Sequence, residues 1–394
     1  MRQNILRIIR LLNKKQGDVN MVDQKKFLNM LQEMGVNFFT GVPDSYLNGF
    51  CNCLLECVSK EQHLIAANEG NAIGLACGYY FATGKLPLVY MQNSGMGNAM
   101  NPLISLADDY VYGVPMLLLI GWRGEPGRED HPQHKRQGKI TLELLKLCDI
   151  PYVIAEENEI EEQTAWAAAM ARKKRKPVAI IGKKGVFAAK EKKNERDENY
   201  LLSREEAMEV ILDSLPDNTI YIATTGRATR ELFYLRKKRN EGHGHDFLNV
   251  GAMGHASSVA LGIAMTLDSR LIVCLDGDAS ALMHLGSFSM ASEVKAANML
   301  HVVLNNGAHE SVGGQPSAGY KVDFTKIAEG AGYHTFGRAV EDRETLQAAL
   351  KSFVSDKGPF FIDMRIHKGL KGELPPLNVS HEEMIGVLMN ELQI

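Results

Sequence analysis

The stretch Val273–Ser280 reads VCLDGDAS, an apolar run that stops in Asp276, Gly277, Asp278, Ala279 and Ser280. Such a run reads as a buried strand ending in a polar loop, and in α/β proteins chemistry gathers at the carboxyl ends of strands. Asp-x-Asp-x-Ser admits three kinds of chemistry. In an aspartyl phosphatase Asp276 would be the nucleophile and Asp278 the acid/base. In a calcium loop both would be ligands. In a magnesium–diphosphate anchor one carboxylate holds the metal. The calcium loop fails: it needs Gly at its sixth position and Glu at its twelfth, and counting from Asp276 those are Ala281 and Ser287. A phosphatase loop normally opens its domain and is followed by acidic metal ligands. Here less than a third of the chain follows, with scattered acidic residues.

The magnesium anchor demands a second ligand on the next strand. The run Val302–Asn306 (VVLNN) delivers Asn305 and Asn306 one strand–helix–strand crossover after Asp278, so adjacent parallel strands would bring them together. A carboxylate, an amide oxygen and a backbone carbonyl form a hard half-shell that suits Mg²⁺ when phosphate oxygens and water complete the octahedron. On this reading Asp276 is a loop residue of modest importance. Taken alone, an Asn pair also simply ends a strand.

The elements that must position these residues alternate. Residues 36–58 (VNFFTGVPDSYLNGFCNCLLECV), 63–84 (HLIAANEGNAIGLACGYYFATG) and 86–108 (LPLVYMQNSGMGNAMNPLISLAD) each read as strand, turn and helix, with Asp44 or Ser45 a plausible helix cap. Residues 114–125 and 177–185 contain further strands, and Ile160–Lys174 is an Ala-rich helix ending in positive charge, which suits the helix dipole. The charged, aperiodic stretch 183–202 is the expected linker, and alternation resumes beyond it. Alternating β and α segments imply parallel sheets with helices on both faces. The expected organisation is therefore an α/β protein with an N-terminal extension over 1–20, one domain over 21–182 and a second over 203–394.

Bulk properties narrow the class. The chain has 394 residues, 45% hydrophobic and 23% charged, with a net charge of −3. That charge gives no argument for nucleic-acid binding, and no apolar run approaches the ~20 residues of a membrane helix. Six cysteines without a CxxC pair point to a reducing, cytoplasmic compartment. Residues 1–20 are basic and amphipathic and precede a second methionine, Met21. They read as a peripheral extension, with a membrane-surface helix as the alternative.

Gly277-Asp278-Ala279 followed by Asn305-Asn306 is similar to the signature of thiamine-diphosphate enzymes, usually Gly-Asp-Gly and an Asn pair; Ala279 replaces the usual third glycine. The resemblance implies two thiamine-diphosphate-binding-fold domains, a pyrimidine-binding one before a diphosphate- and magnesium-binding one. It implies Mg²⁺ held by Asp278, Asn306 and the Ala308 carbonyl. It assigns Glu69, at a helix start, to the cofactor's pyrimidine ring, where a helix-stabilising Glu is the plainer alternative. It assigns the loop GAMGHASS, with Gly251, Gly254 and His255, to the diphosphate, alongside Gly277, Ala279 and Ser280. Met253 would be the bulky apolar residue beneath the bent cofactor. The motifs FTGVPDSYL, MQNSGMGNAMNPL, RGEPGREDHPQHKRQG, GHASSVALGIA and NNGAHESVGGQP resemble the phosphonopyruvate and sulfopyruvate decarboxylases within that family.

This resemblance implies non-oxidative decarboxylation of a small anionic 2-oxo acid, with phosphonopyruvate ahead of sulfopyruvate. Arg123 and Arg128 suit bidentate recognition of phosphonate or carboxylate, although each could equally be a solvated loop residue. Ser45, Asn93, Ser94 and His309 are the remaining expected substrate contacts. His131 or His134 would donate the proton taken up after carbon dioxide leaves. The family's sites lie between subunits, so the expected partner is a second copy of this chain in a homo-oligomer of at least two subunits.

Overall fold

The computed structural model describes residues 21–189, 200–353, 357–369, 374 and 377–392. The expected extension over 1–20 and the middle of the expected linker lie outside these. The chain divides into two compact units, Met1–Glu191 and Lys192–Ile394.

The first unit is built on six parallel strands: β1 (Phe39–Gly41), β2 (His63–Ile65), β3 (Leu88–Gln92), β4 (Met116–Gly121), β5 (Tyr152–Ile154) and β6 (Pro177–Gly182). Their order is β2-β1-β3-β4-β6-β5. Strand β4 shows why this is a doubly covered sheet. Its run MLLLIG is buried throughout, as expected for a strand with helices on both faces. Alternate side chains enter different cores: Leu117 and Leu119 pack with Phe27, Phe50 and Phe187, while Leu118 and Ile120 pack with Ile73, Met96 and Trp122. Within the expected linker, Val186 and Phe187 are 2% and 0% exposed and belong to the first of these cores.

The second unit carries β7 (Ile220–Ala223), β8 (Asp246–Leu248), β9 (Ile272–Gly277), β10 (Met299–Asn305), a short antiparallel hairpin of β11 (Ala308–His309) and β12 (Gln315–Pro316), then β13 (His334–Thr335) and β14 (Phe360–Arg365). The parallel sheet runs β13-β14-β10-β9-β7-β8. Val273 and Leu275 of β9 face one core with Leu300, Val302 and Leu304 of β10. Ile272 and Cys274 face the other.

Sheet order decides where the loops meet. In the first unit the order reverses between β1 and β3, in the second between β7 and β9. A crevice opens beyond the carboxyl ends of strands at such a switch point. The loops after β1 and β3 carry Asp44, Ser45, Asn93 and Ser94; those after β7 and β9 carry Thr224 and Asp278. Asp276 is corrected here: it is a strand residue of β9, 1% exposed.

Candidate active site

In the first unit Glu69 opens the helix Glu69–Thr83, capped by Asn68, whose side chain accepts from Asn71 N–H at 2.8 Å. Glu69 is 5% exposed. Asn98 Nδ2 donates to Glu69 Oε2 at 2.8 Å. The other oxygen lies against Gly95, where any Cβ would collide with it. Burial raises the Glu69 pKa above its usual value, with the Asn98 hydrogen bond opposing. A carboxyl held this way exchanges a proton with a ring nitrogen more readily than a solvated one.

At the first switch point Asp44 is fully buried. It accepts from Gln92 Nε2 at 2.6 Å and from Tyr46 N–H at 3.0 Å, and Gly121 leaves room for its carboxylate. Ser94 Oγ donates to Gln92 Oε1 at 2.7 Å. Asn93 is 1% exposed. Its Nδ2 donates to the Arg123 carbonyl and to Thr141 Oγ1, both at 2.8 Å, and its Oδ1 accepts from Arg123 N–H at 3.1 Å. Asn93 therefore braces Arg123.

The basic loop is more ordered than its sequence implies. Arg123 grips Asp130 with Nε at 2.9 Å and Nη2 at 2.6 Å, a bidentate geometry, and Nη1 donates to Ser45 Oγ at 3.1 Å. Tyr46 stacks under the guanidinium, 4.8 Å from its centroid, and its hydroxyl donates to Asp130 at 3.2 Å. Arg128 pairs with Glu125 at 3.1 Å and stays partly exposed. His131 precedes the helix Pro132–Leu147, and its ring lies 6.3 Å from that of His134. Burial pushes His134 down to about 4, and Arg123 adds to the shift. His134 is therefore a neutral imidazole at neutral pH.

In the second unit Asp278 follows β9, 2% exposed, at the start of the short helix Asp278–Met283. Ser317 Oγ donates to its Oδ2 in a short hydrogen bond, and the Asn306 N–H also donates to it. Burial raises its pKa to about 6, against these hydrogen bonds and the Arg204 charge. Gly319 lies so close that a Cβ there would strike both Asp278 and Asn305. Asn305 Nδ2 donates to the Gly319 carbonyl at 2.9 Å and to Asp363 at 3.1 Å. Asn306 Oδ1 accepts from Ala308 N–H at 3.2 Å. Asp278, Asn306 and Ala308 thus sit around one turn.

Ser280 Oγ is 2.9 Å from Thr224 Oγ1 and accepts from Gly254 N–H at 3.1 Å. It thereby ties the loop after β9 to the loop after β7 and to residues 249–255. Gly251 N–H donates to Asn249 Oδ1 at 3.1 Å. Gly254 has φ +87°, and a Cβ there would strike His284. His284 is also packed against His255, with ring centroids 4.5 Å apart. Met253 is half-buried. His309 lies in the β11–β12 hairpin, and burial holds it down at about 4.

These groups fit magnesium and a diphosphate. The donors around Asp278 are oxygens, its hydrogen-bond partners are neutral, and a buried carboxylate without a cation is costly. Sequence reading missed Asn98, Gly95, Asp130, Ser317 and Gly319. Asn98, Gly95 and Asp130 stood inside motifs singled out for other residues; Ser317 and Gly319 carry no signal without spatial neighbours.

Comparisons with known proteins agree. Residues 24–143 match the thiamine pyrophosphate enzyme N-terminal TPP binding domain, and residues 224–364 match the C-terminal TPP binding domain. A phosphonopyruvate decarboxylase of Streptomyces viridochromogenes is 33% identical over 86% of this chain and 87% of that protein. One of Streptomyces hygroscopicus is 32% identical over 89% and 88%. A sulfopyruvate decarboxylase of Methanosarcina acetivorans is 24% identical over 91% and 95%. Among solved structures, a thiamine diphosphate-dependent 4-hydroxybenzoylformate decarboxylase of Rhodococcus jostii RHA1 covers 87% of this chain and 99% of its own, at 16% identity and a TM-score of 0.36, a likeness too weak to bear on the fold. With both binding domains present in order and near-full-length likeness to two curated relatives, the chain belongs to the thiamine-diphosphate enzyme family, in the group of the phosphonopyruvate decarboxylases.

Proposed function

We propose that this chain decarboxylates 3-phosphonopyruvate to phosphonoacetaldehyde and carbon dioxide, a step of phosphonate biosynthesis, using thiamine diphosphate and Mg²⁺. The observation that carries the reading is the 33% identity to a phosphonopyruvate decarboxylase along 86% of the chain. The buried, oxygen-ringed Asp278 supports the cofactor requirement.

Bound thiamine diphosphate supplies the sink for the electron pair left when carbon dioxide departs. The chain's own residues do the rest. Glu69 holds a proton at the pyrimidine ring, kept in place by Asn98. Asp278, the Asn306 side chain and the Ala308 carbonyl hold Mg²⁺. Gly251, Gly254, His255, Gly277, Ala279 and Ser280 would line the diphosphate, and Met253 would pack against the cofactor. Arg128, Ser45, Ser94 and His309 contact the substrate, whereas Asn93, expected to touch it, has its amide fully engaged and acts only by bracing Arg123. Arg123 presents its face beside Ser45 while Asp130 holds it. His131 or His134 passes the proton that completes the product.

Two copies form the minimum active assembly in this proposal. Supporting it, the helix Glu69–Thr83 exposes Gly74, Leu75, Gly78 and Phe81 along one face at helical spacing. Tyr112 packs edge-on against Phe81 at 6.0 Å, and Tyr110, Val111 and Ile104 are also exposed. Exposed apolar surface of this kind marks association. No helix among the described residues is long and apolar enough to cross a membrane, and all six cysteines are free, which supports a cytoplasmic location.

The test is carbon dioxide release from phosphonopyruvate, sulfopyruvate and pyruvate, with and without cofactor and Mg²⁺. Cofactor-dependent release from phosphonopyruvate is expected to dominate. Preferred turnover of sulfopyruvate would transfer the assignment to the activity named for the Methanosarcina acetivorans relative. Release from neither would end this reading.

A further inference from the structure

Asp276 stands in a buried cluster that the proposed reaction does not use. Cys274 and Asp276 are two apart on β9, so they face the same side of the sheet. His301 of β10 is directly opposite Cys274 in the strand register. A ligand atom from each of the three, sulfur, carboxylate oxygen and imidazole nitrogen, lies within 4.8 Å of the others. Cys274 and His301 are 0% exposed and Asp276 is 1% exposed.

The cluster is short of partners. His301 Nε2 stands 3.4 Å from Asp276 Oδ2, while Nδ1 has no hydrogen-bond partner. The hydroxyl of Tyr333, a residue 5% exposed, has none either, and it is near enough to Cys274 and Asp276 to feel both electrostatically. Asp276 Oδ1 accepts from Gly277 N–H at 2.9 Å. Phe288 and Phe361 close around the imidazole at 4.9 and 5.4 Å. Each buried polar group left unsatisfied is destabilising, so a group of them in an apolar shell calls for a compensating ligand.

The ligand chemistry is specific. Sulfur, nitrogen and carboxylate oxygen with a fourth position open suit tetrahedral Zn²⁺. A thiolate disfavours Mg²⁺ and Ca²⁺, which take oxygen donors. The cluster therefore differs in kind from the oxygen-lined turn at Asp278. We propose that Cys274, Asp276 and His301 bind a structural Zn²⁺, with the Tyr333 hydroxyl at the fourth position, pinning β9 to β10 beneath the loop that carries Asp278. Binding replaces the thiol proton, which leaves to solvent, with a sulfur–zinc bond. The ion enters as the sheet closes, because no group of the cluster reaches the surface. This inference stands independently of the proposed reaction.

The test uses the full chain, unfolded and refolded with either Zn²⁺ or Co²⁺, followed by removal of loosely held metal. About one Zn²⁺ per chain is expected by elemental analysis, and the Co²⁺ form should show a thiolate-to-cobalt charge-transfer band with tetrahedral visible bands. Cys274→Ser and His301→Phe should lose the charge-transfer band, the second keeping an aromatic ring in an aromatic shell. Asp278→Ala should keep it, because the oxygen site contributes no sulfur. A wild-type chain that refolds without retaining zinc overturns the proposal, whatever the variants do. So does a charge-transfer band that survives in folded Cys274→Ser protein, which would place the metal on another cysteine, or in folded His301→Phe protein, which would take His301 out of the site.

Discussion

Asn98 Nδ2 and Glu69 Oε2 are joined by a 2.8 Å hydrogen bond, on a carboxylate that is otherwise buried against Gly95. This one contact fixes the direction of the only acid proposed to reach the pyrimidine ring. Glu69→Gln keeps the shape and removes the proton. We expect kcat to fall about 10²–10⁴-fold, with the fold intact by circular dichroism. Unchanged kcat would remove Glu69 from the mechanism.

The same carboxyl carries a stability signature. Burial raises its folded pKa above the usual 4.5, so the folded state favours the protonated form. Relative stability is fully present below pH 4.5 and is lost as pH rises through the folded value. Glu69→Gln should therefore melt above wild type at about pH 8 and lose that advantage at about pH 4. Paired thermal melts at the two pH values read it. An advantage equal at both would show that Glu69 is not strained by burial.

Gly319 lies over Asp278 with no room for a methyl group. Gly319→Ala should displace the carboxylate and weaken Mg²⁺-dependent cofactor binding about 10-fold or more. Asp278→Ala should abolish it. Isothermal titration with thiamine diphosphate at several Mg²⁺ concentrations measures both. Normal binding by Asp278→Ala would mean that the metal is held elsewhere.

Arg123 and Asp130 form a bidentate pair with side chains 13% and 6% exposed. Removing one partner leaves a largely buried charge alone, at a cost of about 3–5 kcal/mol. Although burial opposes it, the hydrogen bonds from Arg123 and from the Gly124 and His131 N–H groups hold Asp130 well below the usual 3.8. Its contribution is present above pH 3.8 and is lost as pH falls through the folded value. Asp130→Asn should therefore lower the urea midpoint at neutral pH and raise the substrate KM through the freed Arg123 and Ser45. A neutral-pH midpoint equal to wild type would mark the pair as an idle surface contact.

Mixing two inactive variants tests the proposed assembly. If each site draws Glu69 from one copy and Asp278 from the other, a hybrid of Glu69→Gln and Asp278→Ala chains holds one wild-type site. Random exchange should then restore about a quarter of wild-type activity. No recovery after demonstrated subunit exchange would place both residues of each site on one chain.

Much of this was readable in order along the chain. The runs VCLDG and VVLNN are apolar enough to be central strands, and one crossover apart they had to be neighbours. Their register, with Leu304 opposite Gly277, puts Asp278 beside Asn305 and Asn306. The Arg123–Asp130 grip was not readable: the two lie in a Gly/Pro-rich loop that forms no regular element between them, so charge alone suggested for Arg123 a solvated residue or a substrate contact. Val186 and Phe187 were hidden by composition, two apolar residues inside a charged stretch.

By itself the sequence determined the alternation of strands and helices, the oxygen donors proposed for magnesium and the acid at a helix start. Those follow from periodicity and residue chemistry within one or two elements. Only the tertiary structure decided the strand order, and with it the two switch points where loops from distant segments converge. It alone turned Asp276 from a loop residue into part of a buried cluster with Cys274, His301 and Tyr333. The reason is physical: register and packing between strands are set by the cooperative burial of whole faces, and no short stretch of chain records them.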